Sequence, residues 1–328
     1  MMSAAVLLAA GAFAMATRGI APPTPNPPGT FSFAALGDAP YIALHGDMLR
    51  YRLVVQELDA HDLDFVLHVG DILDGSCSDD RFRQRRDQFN ALRHPVIYTP
   101  GDNEWTDCWE SRSGGFVPLD RLASLRRTFF ATPTRSLGGR SIRLATQAGR
   151  EPFAEFVEHA RWTRTGLMFV TVNLPGSWNA REPFTARTAA DDEASTRRTD
   201  AAAAWLRETF AEARAAGSTA VIVGFHANPG FESPATNEYR QSYEPFITTL
   251  EEEVESFGKP VLVAQGDNHE FIVDHPLVRR TTGRRLDNLT RLQVPGSPDI
   301  GWVRVVVTPG AQPPFTFENR VVPRWKHW

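Results

Sequence analysis

VAQGDNHEF, residues 263–271, closes a short apolar run with a Gly-Asp pair and sets a histidine two positions beyond it. The Gly-Asp pair after a short apolar run, without the histidine, stands three times upstream, in AALGDAPY at 34–41, LHVGDILDG at 67–75 and YTPGDNEW at 98–105. The first two intervals between these aspartates, 71 − 38 = 33 and 102 − 71 = 31 residues, each match one strand-helix-strand unit of roughly 30 residues. A further run, VIVGFHANPG at 221–230, ends in His226 instead. Polar residues that recur directly behind buried-strand patterns predict an α/β fold with its chemistry gathered at strand ends.

The rest of the chain alternates in the same way. FSFAAL (31–36), DFVLHV (64–69), HPVIYT (94–99), GLMFVTVNL (166–174), TAVIVGF (219–225) and KPVLVA (259–264) are short, rich in β-branched residues and almost continuously apolar, as strands buried on both faces are. Helical spacing fills 47–60, 81–92, 119–130, 195–216 and 243–257, with Trp205, Leu206 and Phe210 on an inward face. From Gly301 onward, WVRVVV and FTFENRVV alternate without helices and predict strands that complete a sheet. No linker divides the chain after Gly29, so one domain is expected from 30 to 328.

In an open α/β sheet, ligands bind beyond the carboxyl ends of the strands, where each Gly-Asp pair falls. Glycine lets the chain turn sharply off a strand, and the next aspartate points into the crevice. One such pair is ordinary turn or helix-cap chemistry. The full set of Asp38, Asp71, Asp102, His226, Asp267 and His269 offers mixed oxygen and nitrogen donors from five strand ends, which suits a cluster of divalent metal ions.

With 328 residues, a net charge of −4 and a pI near 6.2, the chain has no general attraction for a polyanion, and nucleic acid is not an expected partner. The basic clusters RFRQRR (81–86) and RRTTGRR (279–285) read as a solvated helix face and a basic loop, either of which would draw an anionic substrate. Residues 4–16, AAVLLAAGAFAMA, form a small-apolar run ending in an A-x-A pattern, and 17–29 are proline-rich. This reads as a signal peptide and linker, although no Lys or Arg precedes the run; a mis-assigned start or an Ala-rich tail is the competing reading. No later stretch is long and apolar enough to span a membrane. Cys77 and Cys108 each lie six residues after a loop aspartate (77 − 71 = 108 − 102 = 6), so loops lying side by side could bring them together, the competing reading being two unpaired buried cysteines. A disulfide there agrees with a periplasmic or secreted protein.

The order of these motifs resembles the calcineurin-like metallophosphoesterase family, whose blocks run D-x-H, G-D, G-N-H-[DE], a lone His after a strand, and G-H-x-H. Here they read GDAPY, GDILDG, GDNEW, GFH and GDNH, between about Phe31 and Ile272. The resemblance implies a four-layer α/β/β/α sandwich with two divalent ions (Mn, Fe, Zn or Mg) at one edge. Carried over by position, the first ion takes Asp38, Asp71 and His269, and the second Asp71, Asp102, His226 and Asp267. It implies hydrolysis of a small phosphorylated substrate, a mono- or diester, by a hydroxide bridging the two ions, with Asp71, Asn103 and His226 in catalytic roles. The alternative is a degenerate member that binds metal or a phosphorylated ligand without turnover.

The departures fall in the first, third and fifth blocks, the last two altered toward aspartate. Pro40 stands where the first histidine would be, Asp102 where an asparagine ligand would be, Asn103 in place of the histidine that assists phosphate chemistry, and Asp267 in place of another. Tyr41 either fills the vacancy at the first ion or packs against the loop or the substrate. Asn103 becomes a ligand if its loop shifts by one residue, and Glu104 supports Asp102. Two divalent ions bring +4 against −4 from four aspartates, so the site should prefer hard ions and acidify water less. Asn103 cannot protonate a leaving group. His45, His68 or a metal-bound water would have to, His68 being equally readable as a core residue. Asn173 and Trp178 are candidates for the substrate pocket, and Asn288 begins a glycosylation acceptor pattern.

Overall fold

The computed structural model describes residues 24–41 and 46–322; the apolar run at 4–16, the linker through residue 23 and His45 lie outside the described residues. Twelve strands are formed: β1 (Phe31–Leu36), β2 (Val66–His68), β3 (Val96–Tyr98), β4 (Ala145–Thr146), β5 (Ala160–Arg164), β6 (Leu167–Thr171), β7 (Ala220–Gly224), β8 (Val261–Gln265), β9 (Ile272–Asp274), β10 (Leu289–Gln293), β11 (Gly301–Val307) and β12 (Phe315–Val321). The long helices are α1 (Asp47–Ala60), α2 (Asp79–Ala91), α3 (Pro118–Phe129), α4 (Ala189–Ala215) and α5 (Glu244–Phe257).

The strands form two sheets, ordered β12-β11-β1-β2-β3 and β4-β5-β6-β7-β8-β10-β9. Within them β1, β2 and β3 are parallel, as are β6, β7, β8 and β10. The expected C-terminal pair does complete a sheet, with β11 running antiparallel between β1 and β12. Strand β10 escapes the apolar-run criterion because Thr290, Arg291 and Gln293 interrupt it, yet it pairs parallel with β8.

Period-two alternation explains why the central strands are apolar throughout. On β2, Val66 joins the helix-facing cluster with Val54, Leu58 and Phe89, while Leu67 joins the inter-sheet cluster with Phe33, Phe169 and Leu262. On β8, Val261 and Val263 pack against Trp205, Leu206, Phe210 and Phe246, while Leu262 and Ala264 face the other sheet. Three apolar layers between four structural layers give the α/β/β/α sandwich. Each fully buried Leu or Phe contributes about 2–3 kcal/mol of transfer free energy to it.

Local chemistry sets the helix ends. Helix α4 starts six residues before the expected Ser195 because Thr188 and Asp191 form a capping box. Ser78 caps α2 by accepting from the Arg81 N–H. The two basic clusters are solvated for the most part, with Arg83, Arg280, Arg284 and Arg285 exposed, but each also makes fixed contacts. Arg85 on α2 is buried, donates to the Pro40 carbonyl at 3.3 Å and is pulled down to about 10 by that burial. Arg279, Arg280 and Arg284 pair with Glu255, Glu244 and Glu255 of α5 at 3.2, 3.0 and 2.8 Å. Cys77 and Cys108 are disulfide-bonded, tying the loop after β2 to the loop after β3.

Candidate metal centre

The carboxyl ends of β1, β2 and β3 in one sheet and of β7 and β8 in the other converge on one edge of the sandwich. They carry Asp38, Asp71 and Asp102 from the first sheet and His226, Asp267 and His269 from the second. All six predicted donors are brought together there. The His226 Nε2 lies 2.8 Å from Asp102 Oδ1, 3.4 Å from Asp71 Oδ1 and 4.0 Å from Asp267 Oδ1. His269 Nε2 lies 3.6 Å from Asp38 Oδ1. Donor atoms of Asp38, Asp71 and His226 fall within 4.8 Å of one another, and so do those of Asp102, His226 and Asp267. His226 therefore sits between two groups, a sharing that the carry-over by position assigns to Asp71.

The backbone is shaped around these side chains. Four of the nine non-glycine residues with left-handed φ among the described residues are candidate donors, with 54° at Asp38, 55° at Asp71, 76° at Asp267 and 63° at His269. Glycine serves a different purpose at two of the pairs: a Cβ on Gly101 would lie 2.2 Å from Asp71 Oδ1, and one on Gly266 would lie 2.4 Å from Asp38 Oδ2. Each of these glycines makes room for the carboxylate of a neighbouring loop.

A second layer fixes the donors. Tyr41 donates its hydroxyl to Asp71 Oδ2 at 2.8 Å and lies 3.2 Å from His269 Nε2, so it braces both residues. The Asn103 N–H donates to Asp71 Oδ1 at 3.1 Å, so its backbone bears on the site. Ser177 Oγ lies 3.0 Å from Asp102 Oδ2 and 2.7 Å from Asp107 Oδ1, and its one proton can be donated to either carboxylate. The Asn228 N–H donates to Asp267 Oδ2 at 2.8 Å, with the Tyr239 hydroxyl 3.4 Å from the same oxygen. Glu104 supports the loop rather than the Asp102 carboxylate, accepting on Oε1 from Gly101 N–H (2.7 Å), Asp71 N–H (3.2 Å) and the Tyr98 hydroxyl (2.6 Å). Nothing in the sequence pattern marked Tyr239 or Ser177, which reach the site from outside the five blocks.

The donor set fits divalent cations. His226 is fully buried, and its Nδ1 lies 2.8 Å from the Val69 carbonyl, where it must donate. Its Nε2 lone pair then faces carboxylate oxygens. Such an arrangement is repulsive unless a cation or a proton lies between, and a ring N–H on a carbonyl is the usual support of a ligating imidazole. His226 Nε2, Asp102 Oδ1 and Asp38 Oδ2 are all buried without an aligned hydrogen-bond partner. His269 repeats the pattern, with Nδ1 2.5 Å from the Ser297 carbonyl. Burial raises the Asp38 and Asp71 carboxyls, and burial together with Asp102 pushes Asp267 up to about 6. Burial opposes charge on His226, but Asp71 and Asp102 outweigh it and hold the imidazole well above its usual range. Asp107, behind Ser177, is pushed up to about 7 by burial and then by Asp102.

Other candidates separate from the site. His68 is enclosed by Phe89 and Tyr98, with burial and then His226 lowering it to about 3, which favours its reading as a neutral core residue. Asn173 is buried and donates to Glu158 at 2.9 Å, itself paired with Arg126 at 2.7 Å, so it is structural. The Asn288 amide donates to the Val254 and Lys259 carbonyls, both at 3.0 Å. Trp178 is exposed and meets Tyr239 edge-on.

Residues 43–271 match the family described as calcineurin-like phosphoesterase. The chain belongs to that family. The matched span holds every donor of this calcineurin-like phosphoesterase except Asp38, which precedes it. No curated protein sequence matches the chain. Among solved structures, PhoD is 12% identical, with 90% of this chain and 69% of that chain covered and a TM-score of 0.54. The phosphopantetheinyl hydrolase PptH from Mycobacterium tuberculosis is 16% identical over 82% of this chain and 90% of its own, with a TM-score of 0.39. TT1561 of Thermus thermophilus is 12% identical over 88% and 99%, with a TM-score of 0.45. At these identities PhoD speaks for the fold alone, and the other two carry no argument.

Proposed function

We propose that this calcineurin-like phosphoesterase hydrolyses a small phosphomonoester or phosphodiester with the help of two divalent ions. The observation that carries the reading is the convergence of Asp38, Asp102 and His226 on one edge shared by both sheets, each with one buried atom (Oδ2, Oδ1 and Nε2) that has no hydrogen-bond partner. Asp38, Asp71 and His269 would hold one ion, Asp102 and Asp267 the other, with His226 and Asp71 between. Bound there, divalent ions would polarise the phosphoryl group and acidify the attacking water.

The chain's own residues do the rest. Tyr41 keeps Asp71 and His269 aligned, Ser177 orients Asp102, and Asn228 with Tyr239 orients Asp267. Asn103 stands where the family pattern has a histidine, and its amide donates a hydrogen bond to a phosphoryl oxygen without supplying a proton. Esters with good leaving groups therefore suit the site best. The disulfide is compatible with a periplasmic or secreted protein, and among the described residues no helix is long and apolar enough to cross a membrane. With the apolar run at 4–16, an exported enzyme is the consistent reading.

The test is turnover of p-nitrophenyl phosphate and bis(p-nitrophenyl) phosphate with added Mn²⁺. Activity abolished by a chelator and lowered about a hundredfold or more by Asp71→Asn is the expected result. Metal binding without turnover of either ester would instead favour a degenerate member that only binds.

A further inference from the structure

Four successive non-glycine residues, Ser177, Trp178, Asn179 and Ala180, have φ of 49°, 58°, 56° and 59°. The segment is one turn of left-handed helix, closed by an Ala180 N–H to Gly176 carbonyl bond of 3.2 Å and an Arg181 N–H to Ser177 carbonyl bond of 3.1 Å. Left-handed helix costs an L-residue roughly 1–2 kcal/mol and ordinarily occurs at single positions. Four in a row persist only where surrounding contacts over-determine them, and such segments cluster at ligand-binding sites.

Asn179 is what holds the turn. Its N–H donates to the Tyr243 hydroxyl at 2.8 Å, and its amide donates to Thr199 Oγ1 at 2.8 Å and the Ser242 carbonyl at 2.9 Å. Its carbonyl accepts from Ser195 Oγ and Arg198 Nη2, both at 2.7 Å, and its Oδ1 accepts from Arg198 at 2.8 Å. On one side of this anchor the turn puts the Ser177 hydroxyl on Asp102.

Between the two stands Trp178, an indole 38% exposed. It meets Tyr239 edge-on at 6.0 Å between centroids, and the Tyr239 hydroxyl lies 3.4 Å from Asp267 Oδ2. Trp178 thus follows in sequence the residue that touches Asp102, Ser177, and packs against the residue that reaches Asp267, Tyr239. It also borders an open hollow with Arg181 and Gln241. Core packing does not require this placement, because over a third of the residue faces solvent.

We infer that Trp178 is a stacking platform for a planar aromatic group on the leaving side of the phosphoester. The inference rests on the phosphoesterase reading and narrows it to aryl or nucleoside phosphates. A π-face carried by a turn that is anchored through Asn179 and linked to the donor cluster through Ser177 and Tyr239 would bind any flat ring, and such stacking is sequence-tolerant among nucleobases.

The experiment compares kcat/KM on phenyl phosphate and adenosine 5′-monophosphate with kcat/KM on glycerol phosphate. In Trp178→Gly and Trp178→Ala the aromatic-to-aliphatic ratio should fall about tenfold or more, through KM, while Trp178→Phe keeps most of it. Trp178→Gly removes the ring and its backbone strain together, so its folding is secure where that of the alanine variant is not. The two aromatic substrates separate a simple arene from a nucleobase. A readout free of turnover is the indole N–H resonance that vanishes in Trp178→Gly, which should shift in the wild type on adding adenosine or phenol. Ratios unchanged in both variants, or no shift with either compound, would overturn the platform. A shift with no hydrolysis of any ester would uphold it and defeat the phosphoesterase reading instead.

Discussion

Gly101-Asp102-Asn103 and Gly266-Asp267-Asn268 are the same three residues folded in two ways. In the second, Asp267 takes a left-handed φ of 76°, its N–H held by Asp38 Oδ1 at 3.0 Å; Asp102 is not among the left-handed residues. The fourth residue decides the difference. Glu104 turns inward beneath its loop and gathers three donors on one oxygen, whereas His269 turns toward the site and is held from behind by Ser297. One loop is thus built from its own interior carboxylate, and the other from partners on distant loops. A shared triplet records a common task at a strand end, and the partners set its conformation.

The sharpest way to break this comparison is to remove the two fourth residues separately. Glu104 is fully buried, and Glu104→Ala would strand the N–H groups of Gly101 and Asp71 and the Tyr98 hydroxyl. A loss of about 3 kcal/mol or more in urea denaturation is expected, with Glu104→Gln milder. A loss under about 1 kcal/mol would show that the loop does not depend on its interior carboxylate. His269→Ala should do the reverse, leaving metal-free stability within about 1 kcal/mol while weakening metal affinity about 10–100-fold. Equal stability losses in the two variants would erase the distinction.

Asp267→His tests the charge balance of the second loop. Replacing a carboxylate by an imidazole would leave the two proposed ions less neutralised and water bound to them more acidic, so the pH-rate profile should move to lower pH. A profile that stays in place would show that Asp267 does not set the acidity of the site.

The smallest expected effect concerns His68, three residues before Asp71. Burial holds it neutral, at about 3 against an ordinary value of 6.5. Since the unfolded chain takes up a proton below 6.5 and the folded one does not, its contribution to stability is complete above that pH and is lost as pH falls toward 3. His68→Phe should therefore flatten the dependence of Tm on pH in that interval while leaving turnover at pH 8 within a few-fold. A hundredfold loss of turnover would make His68 the proton donor instead.

Much of the site was legible because strand-end chemistry leaves local marks. Apolar runs of four to six residues ending in Gly-Asp or Phe-His located five of the six candidate donors, His269 following two residues after the last of them, and the equal offsets of Cys77 and Cys108 located the disulfide. What escaped was set by contacts across the chain. Arg85 sits in a run of surface-like charges, yet its helical phase turns it under Pro40. Strand β10 carries Arg291, whose charge is met by Asp274 at 2.6 Å, so the run looked too polar to be buried. Tyr239 and Ser177 brace the ligands through tertiary approach alone, and the glycines at 101 and 266 serve close packing where a turn was expected.

The central claim is that this edge holds two divalent ions among four carboxylates and two imidazoles. Metal content per chain, measured after equilibrium dialysis against Mn²⁺, tests it most directly. Two ions per wild-type chain, falling to one or fewer in Asp102→Ala, is the predicted result. A folded wild-type chain that retains no ion would contradict it.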